Sequence, residues 1–366
     1  MGPKNRYPLR RTLGRNAVSW TAAALSPWPR LDYPEPGYSI MLGVPWDLRH
    51  LLPVNLRFID RCDLDGLVDL HVVFDRRRRE GMDELAEEMR RRFPDLPLRF
   101  HHYRPLPGAV VEKAHVSTFY NSLNCVTALA ACRTRTMVLH DFDLYPLRPD
   151  YFREIAAALD RACVRFAGVE RTNFDGLRDE DEIFGTWALA MDAQWLRNRR
   201  RPREIFHRVA RVGGSGGRTV SLDPFSWLQL KTSRGPVSAF GPEAWCHVQN
   251  LCSAYLRFIG GQTVDIAWRL HNLWYLEELS GHPENLERAH GQMLAAAARG
   301  DRTIAVAGRT IDFDGVHPTC ADKLRKEVTR MERALHGRTR PEIARYLDAA
   351  DAFFGYVRQQ PHAEAA

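Results

Sequence analysis

Apolar residues follow two rhythms along this chain. Short unbroken runs, Tyr38–Pro45, Leu67–Asp75 and Met137–Leu139, lack polar alternation, the pattern of strands covered on both faces. Between them, Asp47–Cys62 sets Leu48, Leu51, Leu52, Leu56 and Ile59 at helical spacing, with Pro53 as an interruption. Gly81–Phe93 and Ser117–Arg133 predict two more helices, the second with Leu123, Val126, Ala130 and Ala131 on its apolar face. Strands are expected at Leu98–Tyr103, Thr136–His140, Arg165–Val169 and Phe184–Met191, and a helix over Tyr151–Arg161. Strand alternates with helix up to residue 170, which predicts a mostly parallel α/β sheet flanked by helices. Asp301–Ile311 reads as a hairpin and 321–358 as helical. The expected organisation is an N-terminal extension over 1–37, a main domain over 38–320, and C-terminal helices and tail over 321–366.

Composition narrows this only slightly. An apolar share of 45% with 27% charged residues is that of a globular protein, and no apolar run approaches the ~18 residues of a membrane span. The net charge of +7 favours an anionic ligand, and peripheral contact with a membrane surface is compatible with it. No nucleic-acid-binding motif accompanies the arginine clusters, so no nucleic-acid partner is expected. Seven scattered cysteines without a Cys-x-x-Cys pair fit a reducing compartment, and a cytoplasmic location is expected.

The chemistry gathers at Thr136–Leu147. A buried strand there runs straight into Asp141 and Asp143, and Pro146 and Pro149 stop the ladder beyond them. Two carboxylates one residue apart repel each other, and a cation between them relieves the repulsion. In open α/β sheets ligands bind beyond the carboxyl ends of the strands, which is where this pair falls. Ser117, Asn121 and Asn124 share one helical face leading towards it, and Lys113 and His115 precede that helix, where diphosphate charge can be met. His317, in the turn Asp314-Gly-Val-His-Pro318, is the first choice for a further metal ligand, with His247 as its competitor. The glycine-rich stretch Gly213–Gly217 matches neither a Walker nor a dinucleotide fingerprint and reads as a loop.

Two stretches, Tyr120-Asn-Ser-Leu-Asn124 and Leu139-His-Asp-Phe-Asp-Leu-Tyr-Pro146, resemble GT-A-type glycosyltransferases, the nucleotide-diphospho-sugar transferase fold with a DxD motif. The resemblance covers about residues 38–195. It implies a Rossmann-related sheet and a UDP- or GDP-sugar donor with an unknown acceptor. It also implies Mn2+ or Mg2+ on Asp143, with Asp141 on the ribose or completing the metal shell. Pro45, closing the opening strand, and Asp75 then fall on the nucleotide side, with Lys113, Asn121 and Asn124 towards the donor and His317 as the late-loop histidine on the metal. Asp192 and Asp223 are the choices for an acceptor base, with Glu170, ending a strand, as a third, although the Glu-Asp or Asp-Asp pair common in that family is absent, which leaves the stereochemistry open. Two other readings stay open: a haloacid-dehalogenase-type phosphatase using Asp141 and Asp143, or the similar Asp312-Phe-Asp314, and a basic non-enzymatic interaction protein.

Overall fold

The computed structural model describes residues 9–172, 183–211, 219–232, 240–261, 269–306, 309–313, 316 and 319–359. From the amino end, α1 (Leu9–Ala24) precedes β1 (Glu35–Val44), a 3-10 turn (Trp46–Leu51), α2 (Leu52–Asp60), β2 (Leu67–Arg77), α3 (Met82–Arg92) and β3 (Leu98–Tyr103). Then come α4 (Pro105–Ala114), α5 (Ser117–Ala131), β4 (Thr134–His140), β5 (Leu144–Pro146), α6 (Tyr151–Ala162), β6 (Phe166–Gly168), β7 (Arg171–Thr172), β8 (Ile183–Phe184) and β9 (Ala188–Asp192). They are followed by α7 (Ala193–Arg199), α8 (Pro202–Ile205), β10 (Arg208–Arg211), β11 (Thr219–Leu222), α9 (Ser226–Lys231) and β12 (Trp245–His247). The chain closes with α10 (Leu251–Ile259), α11 (Leu270–Ser280), α12 (Pro283–Arg299), the hairpin β13 (Thr303–Val306) and β14 (Arg309–Asp312), α13 (Thr319–His336) and α14 (Pro341–Gln359).

Two compact units share these elements. The first comprises Met1–Trp46, Asp60–Phe142 and Pro149–Gly241. Its six-stranded sheet has the order β3-β2-β1-β4-β9-β6. Strands β3, β2, β1 and β4 are mutually parallel, while β9 lies between β4 and β6 and is antiparallel to both. The alternation of strand and helix foretold the parallel part. It carries no information on a strand that arrives later and is inserted backwards, because an unbroken apolar run reports burial and not direction. Met137, Val138 and Leu139 are each 1% exposed, as the lack of alternation in β4 required. The run expected as one strand over Phe184–Met191 is broken into β8 and β9 by a turn at Gly185–Trp187.

The N-terminal extension contains α1, which is fixed within the first unit by specific bonds. Ser19 Oγ donates to the His207 carbonyl at 2.7 Å, and Asn16 exchanges two 2.9 Å bonds with the backbone of Val209. Ala22 and Ala23 join the core that also holds Val126, Leu129 and Met137.

The second unit comprises Asp47–Ile59, Asp143–Arg148 and Pro242–Ala366. Pro53 does not interrupt its helix, because α2 starts only at Leu52 and the proline sits in the first turn, where no N–H is needed. Strands β5 and β12 pair antiparallel, and α11, buried over most of its length, lies among the C-terminal helices. Tyr275 donates to Glu332 at 2.9 Å, and Arg340 grips Glu278 through two 2.8 Å bonds. None of the seven cysteines is joined in a disulfide among the described residues.

Candidate functional site

The carboxyl ends of β1, β2 and β4 are level in the first unit, since Leu42 stands opposite His140 and Val44 opposite Phe74. Successive strands run from β1 outward through β2 to β3, and β4 returns to the other side of β1. The boundary between β1 and β4 is therefore a topological switch point, where such sheets open a crevice for ligands. Asp141 follows the last residue of β4 at that boundary, and its N–H donates to the Trp187 carbonyl at 3.0 Å.

Asp75 and Pro45 lie at the same edge. Asp75 is 6% exposed, and one of its oxygens accepts the Trp46 N–H at 2.8 Å while Arg76 sits 3.0 Å away. Part of its carboxylate thus fixes the chain leaving β1. Arg76 also lies over the Tyr120 ring, 5.0 Å from its centroid.

Asn121 and Asn124 both fall on α5, with different surroundings. Asn124 is buried and its Oδ1 accepts the Tyr103 hydroxyl at 2.7 Å. A Cβ built on Gly43 would come within 2.6 Å of Asn124 Nδ2, so a side chain there would displace the amide. Asn124 therefore braces the end of β1 from within the sheet-covering layer. Asn121 is half-buried and lies within 3.6 Å of the Cys125 thiol. Burial pushes that thiol well above its ordinary range, and the negative charge of Asp141 adds to the effect. Lys113 is exposed in the last turn of α4, and His115 ends that helix in a left-handed conformation at φ 48°.

Asp143 and His247 belong to the second unit. Asp143 and His247 meet because β5 pairs with β12, setting His247 opposite Leu144, and the Val248 N–H donates to the Asp143 carbonyl at 2.8 Å. His247 Nε2 is 3.3 Å from an Asp143 oxygen, and the two side chains are 8% and 10% exposed. Arg269 lies close enough for the Asp143 charge to act on it, and it pairs with Glu327 at 3.3 Å. Burial pulls the Arg269 guanidinium below its ordinary range, opposed by the carboxylates of Glu327 and Asp143. Burial raises Glu327, against the pull of Arg269 and Lys323.

Asp141 is two residues before Asp143 on the same segment. One donor atom each from Asp141, Asp143 and His247 lies within 4.8 Å of the other two. Bonds of about 2.1–2.2 Å place neighbouring donors roughly 3 Å apart around an ion. The 3.3 Å Asp143–His247 separation is near that spacing. Two carboxylates and an imidazole, partly buried, are a donor set that fits a divalent cation.

The remaining sequence expectations fall elsewhere. Asp192 stands opposite Thr136, five residues back from Asp141 along β4, which is roughly 16 Å at about 3.3 Å per residue. It caps α7 by accepting the Trp195 N–H at 2.7 Å, and it binds Arg165 and, at 3.6 Å, Arg135. These contacts account for its burial, and they hold it beside Thr136 at the amino end of β4. Asp223 follows β11, and burial alone raises its carboxyl above the ordinary range. His317 and Gly213–Gly217 lie outside the described residues, as does Asp314. Asp312 ends one strand of a two-stranded hairpin. The histidine that reaches Asp143 is thus the one rated second in the sequence. The available signal was that Trp245-Cys-His247 is a short strand-like run, but its partner strand is not legible locally.

No protein-family model matches this chain, and no curated protein matches it. Solved structures do. The chain is similar to the galactosyltransferase LgtC in complex with donor and acceptor sugar analogs, at 12% identity and a TM-score of 0.40 over 54% of this chain and 72% of that one. It is similar to S. aureus TarS 1–349, at 11% identity and a TM-score of 0.36 over 89% of this chain and 93% of that one. It is also similar to the mannosyltransferase PcManGT from Pyrobaculum calidifontis in complex with GDP-Man and Mn2+, at 17% identity and a TM-score of 0.34 over 93% and 94% of the two chains. At these identities the likeness concerns the course of the backbone alone.

Proposed function

We propose that this protein transfers a glycosyl group from a UDP- or GDP-linked sugar to an acceptor hydroxyl, with a divalent cation held by Asp141, Asp143 and His247. The observation that carries the reading is the 3.3 Å approach of His247 to Asp143, next to Asp141 at the carboxyl end of the central strand. When bound, the cation supplies neutralisation of the negative charge that a nucleoside diphosphate gathers as the sugar departs. An imidazole in the donor set favours Mn2+ over Mg2+, which prefers oxygen ligands and retained water.

The chain's own residues have distinct tasks in this reading. Asp143 and His247 hold the cation, and Asp141 completes its shell or bonds the ribose. Asp75 and Pro45 border the nucleoside, and Lys113 and Asn121 serve the donor. Asn124 braces β1 and so sets the shape of the edge. His247 takes the role that the sequence reading gave to His317. Of the carboxylates weighed as acceptor base, Asp223 is retained, because half-burial disposes its carboxyl to take up a proton.

The test is thermal stabilisation by UDP, GDP and CDP, each with and without Mn2+. A diphosphate present at 100 times its dissociation constant stabilises the native state by about 2.7 kcal/mol. A metal-dependent shift that is lost in Asp143→Ala is expected. If no diphosphate moves the melting temperature, or if Asp143→Ala leaves the shift intact, the reading fails.

A further inference from the structure

The charge of this chain is not spread along it. Residues 1–31 contain Lys4, Arg6, Arg10, Arg11, Arg15 and Arg30 and no acidic residue, so this segment carries +6 of the chain's net +7. The remaining residues are close to neutral. Most of this basic segment is α1, a helix with two dissimilar faces.

The inner face is committed. Asn16, Ser19, Ala22 and Ala23 bond to or pack on the first unit, and the Arg15 guanidinium lies over Phe119, 5.8 Å from the ring centroid. The opposite face sets Leu13, Ala17, Trp20 and Ala24 at intervals of four, three and four, one stripe of a helix, and all four are exposed. Leu13 is 56% exposed and Trp20 53%, and Leu25 beyond the helix end is 40% exposed. Along the helix from Thr12 to Ala24 the outward stripe holds no charged side chain, while Arg10 and Arg11 precede it. A lone exposed leucine is unremarkable, but a stripe with a tryptophan at its centre, in a basic segment that holds no acidic residue, is a different case.

We propose that α1 is an in-plane anchor for an anionic lipid surface. Leu13, Ala17, Trp20 and Ala24 enter the headgroup boundary, and the +6 charge of residues 1–31 favours anionic headgroups over neutral ones. The chemistry matches on both counts. Tryptophan, with its apolar ring and polar N–H, prefers the membrane–water interface, and juxtaposed basic residues are attracted by anionic headgroups. No helix among the described residues is long and apolar enough to span a bilayer, so the contact is peripheral. The committed inner face keeps the helix docked on its own unit while the outer face contacts lipid.

The experiment is co-sedimentation of the full chain with vesicles of phosphatidylcholine alone and with about one third phosphatidylglycerol, in low and high salt. Quenching of tryptophan fluorescence by brominated lipid is recorded in parallel. Anionic vesicles should bind the chain about tenfold or more better than neutral ones, and high salt should remove most of that preference. The double variant Leu13→Ser/Trp20→Ser should lose binding and most of the quenching while its melting temperature stays unchanged, because both positions are exposed. Equal binding of the double variant, or no binding to anionic vesicles by the full chain, overturns the proposal. So does a wild-type dimer that becomes monomeric in the double variant and ignores vesicles, which would assign the stripe to a second copy of the chain. None of these outcomes depends on glycosyl transfer.

Discussion

His247 Nε2 stands 3.3 Å from an Asp143 oxygen, and the strand pairing that brings them together joins segments about 100 residues apart. Each side chain is largely buried, so the pair is held in place rather than met by chance on a mobile surface. Asp143→Asn and His247→Ala should each weaken Mn2+ binding by about 100-fold or more. Loss of merely supporting groups around a metal costs about 10–100-fold, and these two residues are proposed as ligands of the metal itself. Titration calorimetry or Mn2+ paramagnetic resonance checks this, and unchanged affinity in either variant removes that residue from the shell.

Asp192 should matter for stability and not for turnover. Asp192→Ala removes a helix cap and leaves Arg165 without its buried partner, at a cost of about 2–4 kcal/mol. Denaturant unfolding measures the loss. With folded protein taken as the reference, transfer rate should remain within a few-fold of the parent. A well-folded Asp192→Asn chain devoid of activity would return this residue to the list of bases.

Gly43 and Asn124 should be coupled. Gly43→Ala presses a methyl group to within 2.6 Å of the Asn124 amide and should destabilise by about 1–3 kcal/mol. Asn124→Ala alone frees the space but takes away the acceptor of the Tyr103 hydroxyl, which retains its bond to the Tyr120 carbonyl at 2.8 Å. The double variant should therefore be more stable than the sum of the single effects by about 1 kcal/mol. Strict additivity in a double-mutant cycle would rule out the close contact.

Acid should weaken the fold over a defined window. Burial holds His71 and His271 down to about 3, and His101 and His207 down to about 4, from an ordinary value of 6.5. The unfolded chain takes up protons as pH falls below 6.5, and the folded chain does not until it reaches 3–4. Each neutral histidine thus contributes stability that is fully present above 6.5 and is lost as pH falls through that interval. His271 is completely buried, its ring is stacked on Phe313 at 4.9 Å, and neither ring nitrogen has a hydrogen-bond partner among the described residues. His271→Phe should therefore flatten the melting temperature against pH between 6.5 and 4 without loss at neutral pH. An unaltered slope would mean that His271 is not held neutral.

The sequence by itself determined several of the elements, β3 and β4 among them, and the position of the carboxylate pair. β3 occupies Leu98–Tyr103 as its composition required, and β4 ends at His140, directly before Asp141. Both depend on neighbours within a few residues, and local runs of apolar side chains report burial of the segment that carries them. The proximity of Asp141 to Asp143 is likewise a fact of the chain. Tertiary structure decided what cannot be read from neighbours. The antiparallel insertion of β9 sent Asp192 to the far end of β4, although it follows an apolar strand just as a base was expected to. The β5–β12 pairing chose His247 for Asp143, since which strand pairs with which depends on the packing of the whole sheet and not on the residues flanking either histidine. The same holds for α1: its stripe of apolar residues is present in the sequence, but only the docking of Asn16 and Ser19 tells which face is left outside.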